Sequence, residues 1–301
     1  MVASWSLNFI CAKIGLRYWT PLALVSFRAI LAALLLAIIY LLCGLHRRPS
    51  EARFDPTVDL PRRGFWTFVQ LGLLNVAINQ TCFTIGLNYT TVGHAALIIG
   101  MGPIFILLLA RLQGLEALTL RKVLGMMLAF AGVTVLASEH GIHVRSGTFL
   151  GDVITLTGSI SFSLYTVLGK KVAARYDSIS MNLFNYLAGA TIVLPVGVYE
   201  AARLTRTQAW HAVAWEGWAA LLFMVIFASV IAYLIYFWML RHMAASRLGA
   251  FSYLHPLLTT VLGMAVLGEH LTRSLLVGGA LVLSGVFLIE SGREARREVN
   301  L

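Results

Sequence analysis

Two segments of this chain, one starting at Pro103 and one at Pro256, are a single apolar pattern written twice. The first reads PIFILLLARLQGLEALTLRKVLGMMLAFAGV and the second PLLTTVLGMAVLGEHLTRSLLVGGALVLSGV. Laid over each other without a gap, they pair Glu116 with Glu269, Leu118 with Leu271, Thr119 with Thr272, Gly125 with Gly278, Gly132 with Gly285 and Val133 with Val286. Chance seldom keeps Pro, Glu and Gly in step over such a distance, so the chain reads as two copies of one unit.

Composition says what kind of unit this is. Apolar residues make up 59% of the chain and charged ones only 12%, and the mean hydropathy is +0.82. Too little polar surface is left to solvate a globule, and the chain reads as an integral membrane protein. A helix rising about 1.5 Å per residue needs roughly 20 apolar residues to cross a hydrocarbon core. Most apolar runs here approach that length, and they lack the polar and apolar alternation of a membrane barrel. Cutting at the polar and basic breaks gives ten spans, near 2–16, 22–43, 64–86, 92–110, 120–138, 150–169, 179–199, 215–239, 246–267 and 274–291. The first run is short and starts at Met1 with no basic n-region or cleavage site, so we expect a first helix truncated at its start.

A net charge of +10 invites a nucleic-acid reading, but in a membrane chain a basic balance is a topology signal. With the first loop outside, the inside connections hold Arg47, Arg48, Arg53, Arg62, Arg63, Arg111, Arg121, Lys122, Lys170, Lys171, Arg175, Arg241, Arg247, Arg293, Arg296 and Arg297. The outside connections hold only Arg17, Arg145, Arg203, Arg206 and Arg273. Sixteen against five places both termini in the cytoplasm.

Ten spans in two copies give five per copy, and an odd number turns the second copy upside down. The earlier helices agree more weakly. Trp5, Ser6, Leu7 and Lys13 align with Phe162, Ser163, Leu164 and Lys170, and Phe83 and Leu87 align with Tyr236 and Leu240. The expected architecture is therefore all-α: ten transmembrane helices in two inverted five-helix repeats, over 1–138 and 150–291, followed by a basic cytoplasmic tail at 292–301.

At these residues the chain resembles the drug/metabolite transporter superfamily, specifically its ten-helix EamA-type permeases. The resemblance rests on WSLNFICAKIGL followed by a second span holding Arg28, on the segments from each Pro to LEALT and GEHLT, on the glycine-spaced fifth and tenth spans, and on GDVITLTGSISFSLYTVLGKK. The chain departs from the pattern at Gln113 to Leu115, which lack the Gly directly before Glu that the second copy has in Gly268. The resemblance implies a permease in the cell (inner) membrane and suggests export of amino acids or related metabolites. Multidrug or other small-solute efflux is the alternative.

A polar side chain in hydrocarbon is costly unless it faces protein or a water-filled cavity, which keeps the candidates few. In the third span Asn75 and Asn79 lie four apart and share a helix face, with Gln80 beside them and Phe83 a turn on. They read either as cavity-lining amides or as interhelical glue. Ser229, Tyr233 and Tyr236 form the corresponding face of the eighth span, and Tyr165 is a further pathway candidate in the sixth. Trp238, near a span end, reads as an interfacial anchor. Pro103 and Pro256 break the fourth and ninth spans, and broken helices are natural binding points. His255, beside Pro256, is a candidate proton carrier or a buried neutral ring.

Two cations fall within spans. Lys13 is close enough to the outer end to snorkel, whereas Arg28 lies about two turns into its helix. Arg28 either balances a solute carboxylate or pairs with backbone carbonyls or another helix. Glu116 and Glu269 read as structural, capping the helix that follows or meeting a nearby cation, and Asp152 has the same helix-start reading. Gly125, Gly132, Gly278 and Gly285 are packing residues.

Enzyme signatures are thin. EHGIH supplies Glu139, His140 and His143 without a fourth metal ligand, Cys11, Cys43 and Cys82 have no CxxC spacing, and no P-loop is present. No catalytic residue, metal, cofactor, nucleic acid or particular oligomeric state is implied. The partners expected are a small organic solute, membrane lipid and a coupling proton or ion. A membrane-embedded enzyme and a non-transporting receptor or scaffold are the rival classes.

Overall fold

The computed structural model describes residues 1–46, 62–90, 95, 98–139, 149–255, 257–258 and 273–291, and these are helical with no strand among them. Pro256, Glu269, His140 and His143 lie outside the described residues. Helix α1 spans Val2–Gly15 and α2 Pro21–His46. Helix α3 is continuous through Arg62–Gly72, a π-helical segment Leu73–Gln80, and Thr81–Tyr89. Helices α4, α5, α6 and α7 span Gly102–Leu112, Leu120–Glu139, Phe149–Ala173 and Ser178–Arg206. Helix α8 repeats the plan of α3, running through Trp215–Phe223, a π-helical segment Met224–Ile231, and Ala232–His242. A short α9, Ala245–Ala250, passes into a 3₁₀ turn at Phe251–Tyr253, and α10 spans Arg273–Glu290.

Among the described residues, four helical stretches are long and apolar enough to cross a membrane: Pro21–Cys43, Gly64–Tyr89, Ser178–Arg206 and Trp215–His242. Shorter apolar helices cover Ile98–Leu112 and Leu276–Ile289. Large apolar side chains also cover the outer faces. On α2 alone, Leu31, Leu34, Ile38, Leu41 and Leu42 are exposed, a stripe that lipid rather than water would wet.

Local chemistry sets where the helices start and stop. Asp177 caps α7, its carboxylate accepting from the backbone N–H groups of Ile179 and Ser180 at 3.0 and 3.1 Å. Helix α4 ends at Gly114, whose φ of +69° lets the Leu115 N–H reach back to the Ala110 carbonyl at 2.9 Å. That turn delivers Glu116 to a place the sequence did not indicate. Glu116 pairs with Lys122 Nζ at 2.8 Å, but the helix it caps is α9, not the α5 that follows it. It accepts from the Ser246 N–H at 3.0 Å and from the Ser246 hydroxyl. Pro103 stands in the first turn of α4, after a break at Met101.

Helix packing follows a regular pattern. α1 lies on α8 and α6 on α3, α2 contacts α8 and α7 contacts α3, and α2 pairs with α7, α4 with α9 and α5 with α10. The α5–α10 contact is backbone to backbone. A Cβ built on Gly125 would stand 2.8 Å from the Gly285 carbonyl, and one on Gly132 would stand 2.6 Å from that of Gly278. Two glycines seven residues apart on each antiparallel helix therefore remove the side chains where the axes come closest.

A Cβ on Gly285 itself would lie 2.5 Å from both the Ala129 nitrogen and the Gly125 carbonyl oxygen. We expect Gly285→Val to cost about 1–3 kcal/mol through overpacking. Thermal unfolding of the purified chain in detergent reads this as a lowered midpoint, and an unchanged midpoint would contradict the close approach.

Candidate functional site

Inside the bundle is a cavity of about 120 Å³, walled by residues from both halves of the chain. Helix α1 contributes Trp5, Asn8 and Phe9, which its 3.6-residue period sets on one face. Arg28 comes from α2, Asn79 and Gln80 from the π segment of α3, and Phe83 from the turn after it. Thr155, Ser159 and Phe162 come from α6, Tyr233 from α8, and Ser252 and His255 from the chain beyond α9.

Of the pathway candidates, the structure brings Arg28, Asn79, Gln80, Tyr233 and His255 to the wall. Asn75, Ser229, Tyr165 and Tyr236 stand behind it. Asn75 is fully buried and accepts from the Tyr233 hydroxyl at 2.7 Å. Ser229 is likewise buried and accepts from Arg28 Nε at 2.7 Å. Tyr236 shares a hydrogen bond with Thr166 and stacks on Tyr165, with ring planes 12° apart. Of the two third-helix amides, only Asn79 reaches the wall, while Asn75 is held one layer behind it by the Tyr233 hydroxyl.

The wall is aromatic with polar points. Trp5 is its hub, 5.2 Å from the Tyr233 ring, 6.0 Å from Phe162 and 6.1 Å from His255. Phe9 and Phe83 meet edge to face at 5.0 Å. His255 Nδ1 bonds with the Ser6 hydroxyl at 3.1 Å. Gln80 Nε2 donates to the Tyr186 hydroxyl at 2.9 Å, leaving Gln80 Oε1 buried without a donor, as is Asn8 Oδ1. Such orphaned acceptors are rare in well-packed interiors and mark places where water or a solute completes the bonding. A wall of this kind binds and orients a small molecule through rings, amides and one guanidinium.

Asn8, Trp5, Phe9 and Phe162 were missed as site residues. Spacing was the available signal: Trp5, Asn8 and Phe9 sit at i, i+3 and i+4. The run is so uniformly apolar that no polar face stands out. Lys13 donates to the Leu87 carbonyl at 2.9 Å, so its ammonium is engaged within the bundle. Trp238 is exposed and lies against the His242 ring at 4.6 Å, away from the cavity. Asp152, at the start of α6, accepts from the Thr90 hydroxyl.

The comparisons with known proteins agree with one another. The EamA-like transporter family model matches residues 1–138 and 149–291. The chain is 28% identical over 300 residues to the uncharacterized transporter YvbV of Bacillus subtilis (strain 168), covering 99% of this chain and 91% of that protein. It is 29% identical to an uncharacterized transporter of Archaeoglobus fulgidus, covering 94% and 92%. To the uncharacterized inner membrane transporter YedA of Escherichia coli (strain K12) it is 24% identical, covering 96% and 88%. One solved crystal structure shares the fold with a TM-score of 0.71 at 18% identity, covering 95% of this chain and 93% of that one. A family match over nearly the whole length, on a chain whose described residues are helical and include several helices long and apolar enough to cross a membrane, identifies a multi-pass membrane transporter and not an enzyme: the chain belongs to the EamA-like transporter family.

Proposed function

We propose that this chain is a secondary transporter that carries a small organic solute through the central cavity, its two inverted five-helix halves rocking to expose the cavity to each side in turn. Both termini lie in the cytoplasm, the direction is export, and the solute belongs to the amino acids or related metabolites. The observation that carries this reading is the cavity itself, which is walled by matching elements of both halves. Trp5 and Phe162, equivalent in the sequence repeat, meet edge to face at 6.0 Å in its wall.

Equivalent hydrogen bonds support the inverted repeat. Lys13 donates to the Leu87 carbonyl at 2.9 Å, and its counterpart Lys170 donates to the Leu240 carbonyl at 2.9 Å. The Ser6 hydroxyl donates to the carbonyl of His255 at 3.5 Å, and its counterpart Ser163 donates to that of Gly102 at 3.3 Å. Each carbonyl belongs to the residue before a repeated proline. The eight-residue π segments of α3 and α8 make a third matched pair. Exchanging the halves also maps the α1–α8 contact onto α6–α3 and leaves α2–α7, α4–α9 and α5–α10 unchanged, as a two-fold relation requires.

Coupling to protons runs through His255, the titratable ring in the cavity wall. The purified chain in proteoliposomes is expected to move members of a small-solute panel, faster under an imposed pH gradient. Absence of flux for every solute would remove the transport reading. His255→Gln is expected to abolish the response to the gradient while leaving downhill flux, and an unaltered response sinks the proton-carrier role. Reporter fusions near Arg53 and near Arg175 should report the same side of the membrane, and opposite sides would overturn the inverted topology.

A further inference from the structure

We infer that the solute held in this cavity is a net anion whose carboxylate docks on Arg28. The inference rests on the transport reading above and, within its solute class, selects the related carboxylate metabolites over the zwitterionic amino acids themselves.

Arg28 is 3% exposed, stands in the cavity wall and lies about two turns into α2. A guanidinium stays protonated at any physiological pH, so its charge must be matched there. Its hydrogen-bonding neighbours are neutral: Nε donates to Ser229 Oγ at 2.7 Å, and the Tyr186 hydroxyl lies alongside. No carboxylate pairs with it among the described residues, where the two ion pairs, Lys122–Glu116 and Arg203–Glu200, occupy other sites. The described wall includes no Asp or Glu at all. Buried charges in proteins are paired, and an uncompensated cation in a low-dielectric interior is strongly disfavoured. The missing negative charge is supplied by what enters the cavity.

Geometry and charge select among solutes. The guanidinium fork matches a carboxylate, taking two parallel N–H···O bonds. A zwitterion would bring an ammonium into a wall that already carries one cation and no anion, and His255 can add only further positive charge. The rings of Trp5, Phe9, Phe83 and Phe162 suit an apolar or aromatic body. The donorless acceptors Asn8 Oδ1 and Gln80 Oε1 suit one neutral donor on that body, such as a hydroxyl. The ligand class is therefore a small aromatic or apolar monocarboxylate carrying a hydroxyl or amide donor.

A matched series tests this: 3-(4-hydroxyphenyl)propionate as the anion, its primary amide as the neutral form, tyrosine as the zwitterion and tyramine as the cation. Equilibrium dialysis against the full chain in detergent should show the propionate binding at least about tenfold tighter than the other three, the scale of a charge-assisted pair over a neutral one. Arg28→Gln should bring the propionate down to the level of the amide, and Arg28→Lys should keep the order with reduced affinity. Should Arg28→Gln fail to fold, the ranking on the unmodified chain still decides. Tighter or equal binding of the amide, tyrosine or tyramine, or no binding of the propionate, overturns the inference. Failure of the transport reading looks different: the propionate binds, but no solute crosses the vesicle membrane.

Discussion

A backbone carbonyl released from its helix inside a hydrocarbon slab has no water to turn to, and this one constraint organises the molecule. Wherever the helical ladder loosens, a side chain from another helix supplies the missing donor. Trp5 Nε1 donates to Ala228 O at 3.0 Å, and Ser161 Oγ donates to Leu74 O at 2.7 Å, each within a π segment. Asn182 Nδ2 serves the Ser229 and Val230 carbonyls of the same segment of α8. Near the ends of α3 and α8, Lys13 and Lys170 donate to the Leu87 and Leu240 carbonyls, and Ser163 and Ser6 donate to those of Gly102 and His255. Both π segments are thus bonded by side chains of neighbouring helices, and Asn79 and Gln80 of the first border the cavity.

Much of this was legible in the sequence, because duplicated letters preserve duplicated geometry. The pairing of Lys13 with Lys170 and of Leu87 with Leu240 needed only an alignment, yet those four residues make two equivalent hydrogen bonds. The glycine spacing on α5 and α10 pointed to a close crossing for the same reason: only a missing Cβ permits one. What stayed hidden was whatever depends on long-range packing. Asn75 and Asn79 have the spacing of one face, yet only Asn79 reaches the wall, while Asn75 bonds to Tyr233 behind it. Glu116 was recognisable as a capping carboxylate, but its partner is 130 residues away, and only the fold brings Ser246 to it.

The candidate site divides in the same way. Its polar members could be picked out because amides, hydroxyls and a guanidinium are conspicuous among Leu, Ala and Val. Its aromatic members could not, since Phe and Trp in an apolar run serve equally as core, anchor or wall. Position relative to the join between the halves decides among those uses. Trp5 is hidden by its neighbourhood in the sequence and central in space, touching Tyr233, Tyr236, Phe162 and His255 at once. The layer behind the wall, from Asn75 to Tyr233 and from Ser229 to Arg28, holds the rotamers of residues that face the cavity.

The glycine seam between α5 and α10 has a mechanical corollary. Where main chain rests on main chain, no rotamer can give way, and sliding either helix by a fraction of a turn would drive Ala129 or Leu136 into the opposite backbone. That seam behaves as a rivet. Whatever deformation the bundle undergoes must be absorbed elsewhere, at joints with side-chain slack.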